Sequence, residues 1–277
     1  MQWIKSFYKS NKRRRNKNVV INLVETGAEI SGSVAGSVVG GIVAGPAGMI
    51  IGGATGPLLS RALRQVANEI KERLISPREE IRIGAAYAFA INKLNENLNN
   101  GKQFRTDIFE IKFNQRTDSE EIFEGIILNV QKEYEERKVK FLGNLYANIC
   151  TNPIISKEHA NQLIKTASSS SYRQLCILQL FYQRNTTALS SPPSNRLHNY
   201  RIEKGDLIVE IRDLQQMGLL RVLSRLNDVD DNSSPILQED ISISHVGVLF
   251  CEMLSLSEIN KGDIDHLKAD IYEVASI

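Results

Sequence analysis

Between Ile30 and Ser60 no charged side chain occurs, and glycine recurs every fourth position as Gly32, Gly36, Gly40, Gly48, Gly52 and Gly56. Ala28 and Ala44 fill the remaining steps, so one ladder of small side chains runs through twenty-nine residues. Glycine inside a helix costs about 0.8–1 kcal/mol relative to alanine. The nine glycines from Gly32 to Gly56, with Gly41, Gly45 and Gly53 included, would together cost about 7–9 kcal/mol on that scale. A helix carries such a load where bare faces let backbones approach closely, as in small-xxx-small packing within membranes. The stretch reads as a glycine zipper made to self-associate or to enter a bilayer.

A straight helix over these residues would reach about 46 Å, well beyond a hydrocarbon core of about 30 Å. Gly45-Pro46 lies near the middle, where proline disfavours an uninterrupted helix. Each half is then about 21–24 Å long, which is short for a crossing. A spacing of four also drifts by about 40° per step, so one face cannot hold all eight small positions, whereas two arms hold four each. A re-entrant hairpin or a strongly kinked span is therefore expected. The competing reading is a Gly-rich hairpin packed inside a soluble oligomer. Insertion is marginal in either case: the aliphatic residues of the stretch supply about −3 to −6 kcal/mol, and the glycines, Ser31, Ser33, Ser37 and Thr55 offset part of it.

The net charge of +2 conceals an asymmetry. Residues 1–78 hold 12 Lys/Arg against 4 Asp/Glu, residues 79–168 hold 12 against 13, and residues 169–277 hold 10 against 15, so the basic end adjoins the apolar stretch. Within it, Trp3, Ile4, Phe7 and Tyr8 at helical spacing precede Lys12, Arg13, Arg14, Arg15 and Lys17. An amphipathic stub with a polybasic patch suits an anionic membrane surface, at about 1 kcal/mol per basic residue. The same patch is also compatible with phosphate contacts to nucleic acid or with a solvated tail. Arg61, Arg64, Lys71 and Arg73 follow the ladder, and basic residues on both flanks favour a hairpin with both ends cytoplasmic. Cys150, Cys176 and Cys251, an odd set without CxxC spacing, favour a reducing compartment and read as small core residues. No secretory signal pattern is seen, so the expected location is the cytoplasm or the cytoplasmic face of the inner membrane.

Four regions are expected: a basic amphipathic segment (1–27), a membrane-active glycine-zipper hairpin (28–75), a helical domain (76–168) and a winged-helix-like α/β domain with an acidic tail (169–277). The fold class is thus mainly α. Leu59, Leu63, Val66 and Ile70 mark a helix leaving the ladder. Ser76-Pro77-Arg78-Glu79 starts a new one, stopped by Asn99-Asn100-Gly101. A short helix is expected over Phe104 to Phe113. The strongest one begins at Asp118, and in it Ile122, Ile126, Val130 and Tyr134 alternate with charge. Glu133, Glu135 and Glu136 with Lys132, Arg137, Lys138 and Lys140 read as a solvated helix face. Another helix spans Lys138 to Cys150, and a buried one starts near Tyr172. A polar loop (Asn185–Gly205), a helix from Asp206 to Met217, a hairpin of Leu219–Leu223 with Asp240–Ser244, and a last helix from His245 to Leu256 complete the chain.

The order helix–"MGLL"–hairpin–"ISISHVGVLF"–helix resembles winged-helix domains. Asp206, Glu210 and Asp213 on the would-be recognition helix, and Asp228, Asp230 and Asp231 in the would-be wing, disfavour DNA as its partner, because phosphate contacts need Lys or Arg there. A regulatory protein partner suits that module better. No HExxH, GxSxG, P-loop or dinucleotide-binding context occurs, and His159, His198, His245 and His266 are isolated. Neither enzymatic activity nor a cofactor or metal is expected.

A charged helix running into "FLGNLYANICTNP", a spacer, and "HANQLIKTASSSSYRQLCILQLF" resembles the core of the Abi-alpha family of bacterial proteins, linked to abortive infection against phage. Leu142, Leu145, Ala147 and Asn148 stand where that family has its Leu-xx-Leu-x-Ala-Asn helix, followed by Leu163-Ile164 and Ile177-Leu178. The resemblance covers about fifty residues, and its motif names no active site. It implies antiviral defence. With the ladder, it points to a toxin-like effector that oligomerises with itself and breaches the inner membrane. The alternative is a soluble oligomeric interaction or regulatory protein, linked to nucleic acid through the basic N-terminus.

Overall fold

The computed structural model describes residues 76–111, 116–188, 201–202, 205–222, 236–237 and 241–272, together with 58, 61–63, 65, 66 and 69. The fold is mainly helical, with two small two-stranded antiparallel sheets among the described residues. Two compact units divide between Ser168 and Ser169.

In the first unit α1 spans Pro77–Asn99. Ser76 caps it in a reciprocal capping box with Glu79, Pro77 occupies the first turn, and Asn100 and Gly101 (φ +82°) end it. Ala85, Ala86, Tyr87, Ala88, Phe89 and Ala90 are all buried, so the helix is enclosed all round here. Helix α2 (Asp118–Lys132) begins with a second capping box, between Thr117 and Glu120. Glu120 is 2% exposed yet satisfied, since its carboxylate accepts the Thr117 amide at 2.9 Å at the positive end of the helix.

The chain then departs from the expected solvated face. Residues 133–137 break the helical run, Tyr134 points outward at 84% exposure, and Glu133, Lys138 and Lys140 are buried. The Lys138 ammonium lies 2.6 Å from the Glu133 carboxylate and donates to the Ser168 carbonyl at 3.3 Å. Sequence alternation of charge suggested solvent. Burial follows instead because α3 (Lys138–Ile149) is enclosed on every side, each of its residues being buried. It crosses α1 at Gly143, where an added methyl would fall 2.7 Å from the Ala86 carbonyl oxygen and 2.8 Å from Phe89 Cβ. Farther along the same pair of helices, the Asn97 side-chain amide donates to Asn148 Oδ1 (2.8 Å) and to Thr151 Oγ1 (3.1 Å).

Of the expected helix over Phe104 to Phe113, the described residues 104–111 hold one 3₁₀ turn at Asp107–Phe109 instead, and 112–113 lie outside the described residues. Arg105 explains it: its guanidinium donates to the carbonyls of Asn152 (2.9 Å) and Ile155 (2.6 Å) and pairs with Asp107, tying this stretch to the loop after α3. Helix α4 (Lys157–Ser169) closes the unit, burying Ala160, Leu163, Ile164 and Ala167.

In the second unit α5 runs over Tyr172–Ala188, four residues into the expected polar loop. That loop also contributes β1 (Arg201–Ile202), paired with β3 (Ile236–Leu237). Helix α6 (Gly205–Gln216) ends at Gly218 (φ +74°), where the Leu219 amide reaches back to the Leu214 carbonyl and the Gly218 amide to Gln215. Strands β2 (Leu220–Val222) and β4 (Ile241–Ile243) pair antiparallel, Leu220 facing Ile243 and Val222 facing Ile241, but the expected simple hairpin is interrupted by β3, which lies between them in the chain and pairs elsewhere. Ser244 caps α7 (His245–Leu254), which stops earlier than expected at Ser255 in the left-handed region (φ 57°). The expected acidic tail instead begins with α8 (Lys261–Tyr272), because Ile264 and Leu267, three apart, are buried.

Candidate functional site at the junction of ladder and bundle

The residues that the sequence singles out, Gly32, Gly36, Gly40, Gly48, Gly52 and Gly56 in the ladder and Lys12, Arg13, Arg14, Arg15 and Lys17 before it, lie outside the described residues. So do the two arms of the expected hairpin, apart from Leu58. No helix among the described residues is long and apolar enough to cross a membrane. The part of the candidate site that is described is its C-terminal flank, where the chain leaves the ladder and meets the bundle.

Leu58, Arg61, Ala62, Leu63, Gln65, Val66 and Glu69 are helical. Ala62, Leu63 and Val66 share the spacing of one face, and all three are at most 1% exposed. Arg61 and Gln65 are exposed. Two contacts fix this flank. The Tyr87 hydroxyl, on α1, donates to the Leu63 carbonyl at 2.8 Å. Burial drives the Tyr87 phenol far above its usual pKa, so it stays a neutral donor at any pH the fold meets. The ring is itself held: it meets Phe123 of α2 edge-on, centroids 4.7 Å apart, and Phe123 packs at 4.5 Å on Tyr146 of α3, whose hydroxyl shares a 2.6 Å bond with Ser119. One aromatic row through three helices therefore positions the hydroxyl that reads the flank.

The second contact is ionic. Arg116, just before the cap of α2, places one terminal nitrogen 3.3 Å from the Glu69 carboxylate and the other 3.0 Å from that of Glu124. Arg116 and Glu69 are each about a third exposed and Glu124 less so, at 17%. The two carboxylates hold the guanidinium above its already high pKa, against the opposing pull of its partial burial. Glu69 is also bonded by Gln65 one turn back, at 3.0 Å.

Sequence reasoning found the apolar face of the flank but not its fasteners. A tyrosine set among alanines in "GAAYAFA" was the available signal for Tyr87, since a buried hydroxyl needs a partner. Arg116 gave no comparable sign, its ladder-side partner being 47 positions away.

Among the described residues no group of three or more His, Cys, Asp and Glu is gathered as a metal site. Cys150, Cys176 and Cys251 are buried, and none is joined in a disulfide. Burial pushes the Cys150 thiol up to about 12 and raises that of Cys251 as well, which keeps both protonated at neutral pH and poor as nucleophiles. Neither a protein-family model, nor a curated protein, nor a solved structure matches this chain.

Proposed function

We propose that this chain is a non-enzymatic bacterial effector of the abortive-infection type, which oligomerises and breaches the inner membrane through its glycine zipper. The observation that carries the reading is the uncharged stretch Ile30–Ser60 with glycine in four-residue register, flanked by Lys12–Lys17 on one side and Arg61 on the other. The described helical unit supports it by offering a folded seat for the flank through Tyr87 and Arg116. In this reading the protein waits on the cytoplasmic side and inserts when triggered, and the Abi-alpha-like core contributes scaffold rather than chemistry.

The test replaces Gly36, Gly40, Gly48 and Gly52 by leucine. The quadruple variant should lose membrane depolarisation and toxicity on induction, while α1 to α8 keep their thermal transition. Killing equal to the parent's sinks the proposal.

A second reading is favoured by one observation in the C-terminal unit. Helix α6, the β2–β4 pair and α7 follow in that order, which supports reading this part as winged-helix-like and suits a soluble interaction or regulatory module. Against DNA as its partner, Asp206 and Glu210 on α6 are drawn to Arg173 of α5 at 2.6 and 3.2 Å, leaving an acidic helix where phosphate would demand a basic one. A protein partner fits that surface. Carbonate-resistant recovery with membranes separates the two readings, since the soluble interaction protein would remain wholly in the supernatant.

A further inference from the structure

We propose that Glu69, Arg116 and Glu124, together with the Tyr87 hydroxyl, form a latch that seats the flank on the bundle and thereby restrains the ladder from the bilayer. The inference rests on the membrane reading above and adds its regulation.

Three features make this contact a latch rather than ordinary packing. First, it joins the flank to the bundle by a shared cation. Arg116 holds Glu124 within its own unit's second helix and Glu69 on the segment next to the ladder, so the guanidinium keeps one partner when the other leaves. Opening the latch therefore does not strand Arg116. Second, the ionic half is only partly buried, with Arg116 and Glu69 about a third exposed, so it is strong enough to bias a position and weak enough to yield. Third, the apolar half is small: Ala62, Leu63 and Val66 bury one narrow face, and Tyr87 donates to a backbone carbonyl, a bond indifferent to side-chain identity. A bilayer would offer the same apolar residues an alternative burial. Membrane and bundle thus compete for one face of one helix.

Glu69→Gln in the full-length protein tests this, because it removes the ladder-side charge and leaves the Arg116–Glu124 pair and the bundle core untouched. The readouts are amide exchange over residues 61–69 and dye release from phosphatidylethanolamine–phosphatidylglycerol vesicles. Exchange over 61–69 and dye release should both rise about two- to fivefold, the share a partly exposed ion pair carries, with exchange in α2 and α3 unchanged. Exchanging the charges, Arg116→Glu with Glu69→Arg, should return both readouts toward the parent, whereas Arg116→Glu alone should exceed Glu69→Gln. Faster exchange without greater release, in a protein whose release still depends on Gly36 and Gly40, overturns the latch and leaves the membrane reading standing. Absence of release from the parent and every variant fails the membrane reading itself, and the latch with it. Unchanged exchange over 61–69 in both single variants shows that the ionic contact does not hold the flank and also overturns the proposal.

Discussion

Two regions of this protein bring small residues into register, and they do so by opposite means. From Gly32 to Gly56 the ladder has nine glycines and no charge. Where α1 crosses α3, one glycine suffices: Gly143 lets the Ala86 carbonyl and Phe89 come close, and alanines fill much of the remaining face. Polar groups also pin α3 at both ends, the Glu133–Lys138 pair tying its start to the end of α2 and the Asn97–Asn148–Thr151 bonds tying its other end to α1. Buried polar pairs of this kind fix one register and penalise others. The ladder has only Ser31, Ser33, Ser37 and Thr55 to serve that end. A close crossing in a bundle therefore needs one missing side chain and a polar lock, whereas a glycine in every turn without a lock suits surfaces that must meet more than one copy of themselves.

The sharpest way to break this comparison is to remove the lock. Lys138→Met leaves the Glu133 carboxylate buried without its cation and should destabilise the first unit by about 3–5 kcal/mol, read by urea melting. The double change Lys138→Met with Glu133→Leu should recover most of the loss. A single variant as stable as the parent would show that charge burial does not set the crossing.

Next in size is Gly143→Ala. The clash with backbone should cost about 1–3 kcal/mol net of the gain in helix propensity, whereas Gly40→Leu in the ladder should leave the thermal transition of the bundle unchanged. Equal effects at the two glycines would erase the distinction. Tyr87→Phe follows, with about 1 kcal/mol lost from docking of the flank and limited proteolysis quickened near Leu63.

The smallest effect concerns pH. The hydrogen bond from Arg105 holds the Asp107 carboxyl below its usual range. A depressed pKa adds stability that is present above the unfolded value, about 3.9, and lost as pH falls through the folded one. Asp107 is 62% exposed, so screening limits the contribution to less than about 1 kcal/mol. Asp107→Asn should reduce the stability difference between neutral and acidic solution by that small amount, measured by melts across an acid titration.

Local signals made much of this fold legible. Ser76-Pro77 with Glu79, Thr117 with Glu120, and Gly218 after α6 announce helix ends by chemistry confined to a few neighbours, and each stands where the structure has an end. What the sequence hid depends on partners brought from afar. Glu133, Lys138 and Lys140 look solvated until the helices around α3 enclose them. The stretch near Asp107 looks helical until Arg105 is claimed by carbonyls 47 and 50 residues away. Strand β1 has only two residues, too few for alternation to register, and α8 is masked by Asp263 and Asp265 beside its buried Ile264 and Leu267. At the candidate site, the apolar spacing of Leu63 and Val66 was legible for the same local reason, and the clasp of Arg116 on Glu69 was hidden for the same distant one.

The complete enclosure of α3 has a consequence for how the protein is made. A helix with no wet side has no stable home until its neighbours exist, and the ribosome delivers α1 and α2 before it but α4 after it. As Lys138–Ile149 emerges, its buried Lys138 ammonium still lacks the Ser168 carbonyl to which it donates, which arrives only with Lys157–Ser169. A nascent chain halted between Cys150 and Ser156 should therefore be a client for chaperones, while one extended beyond Ser169 should not.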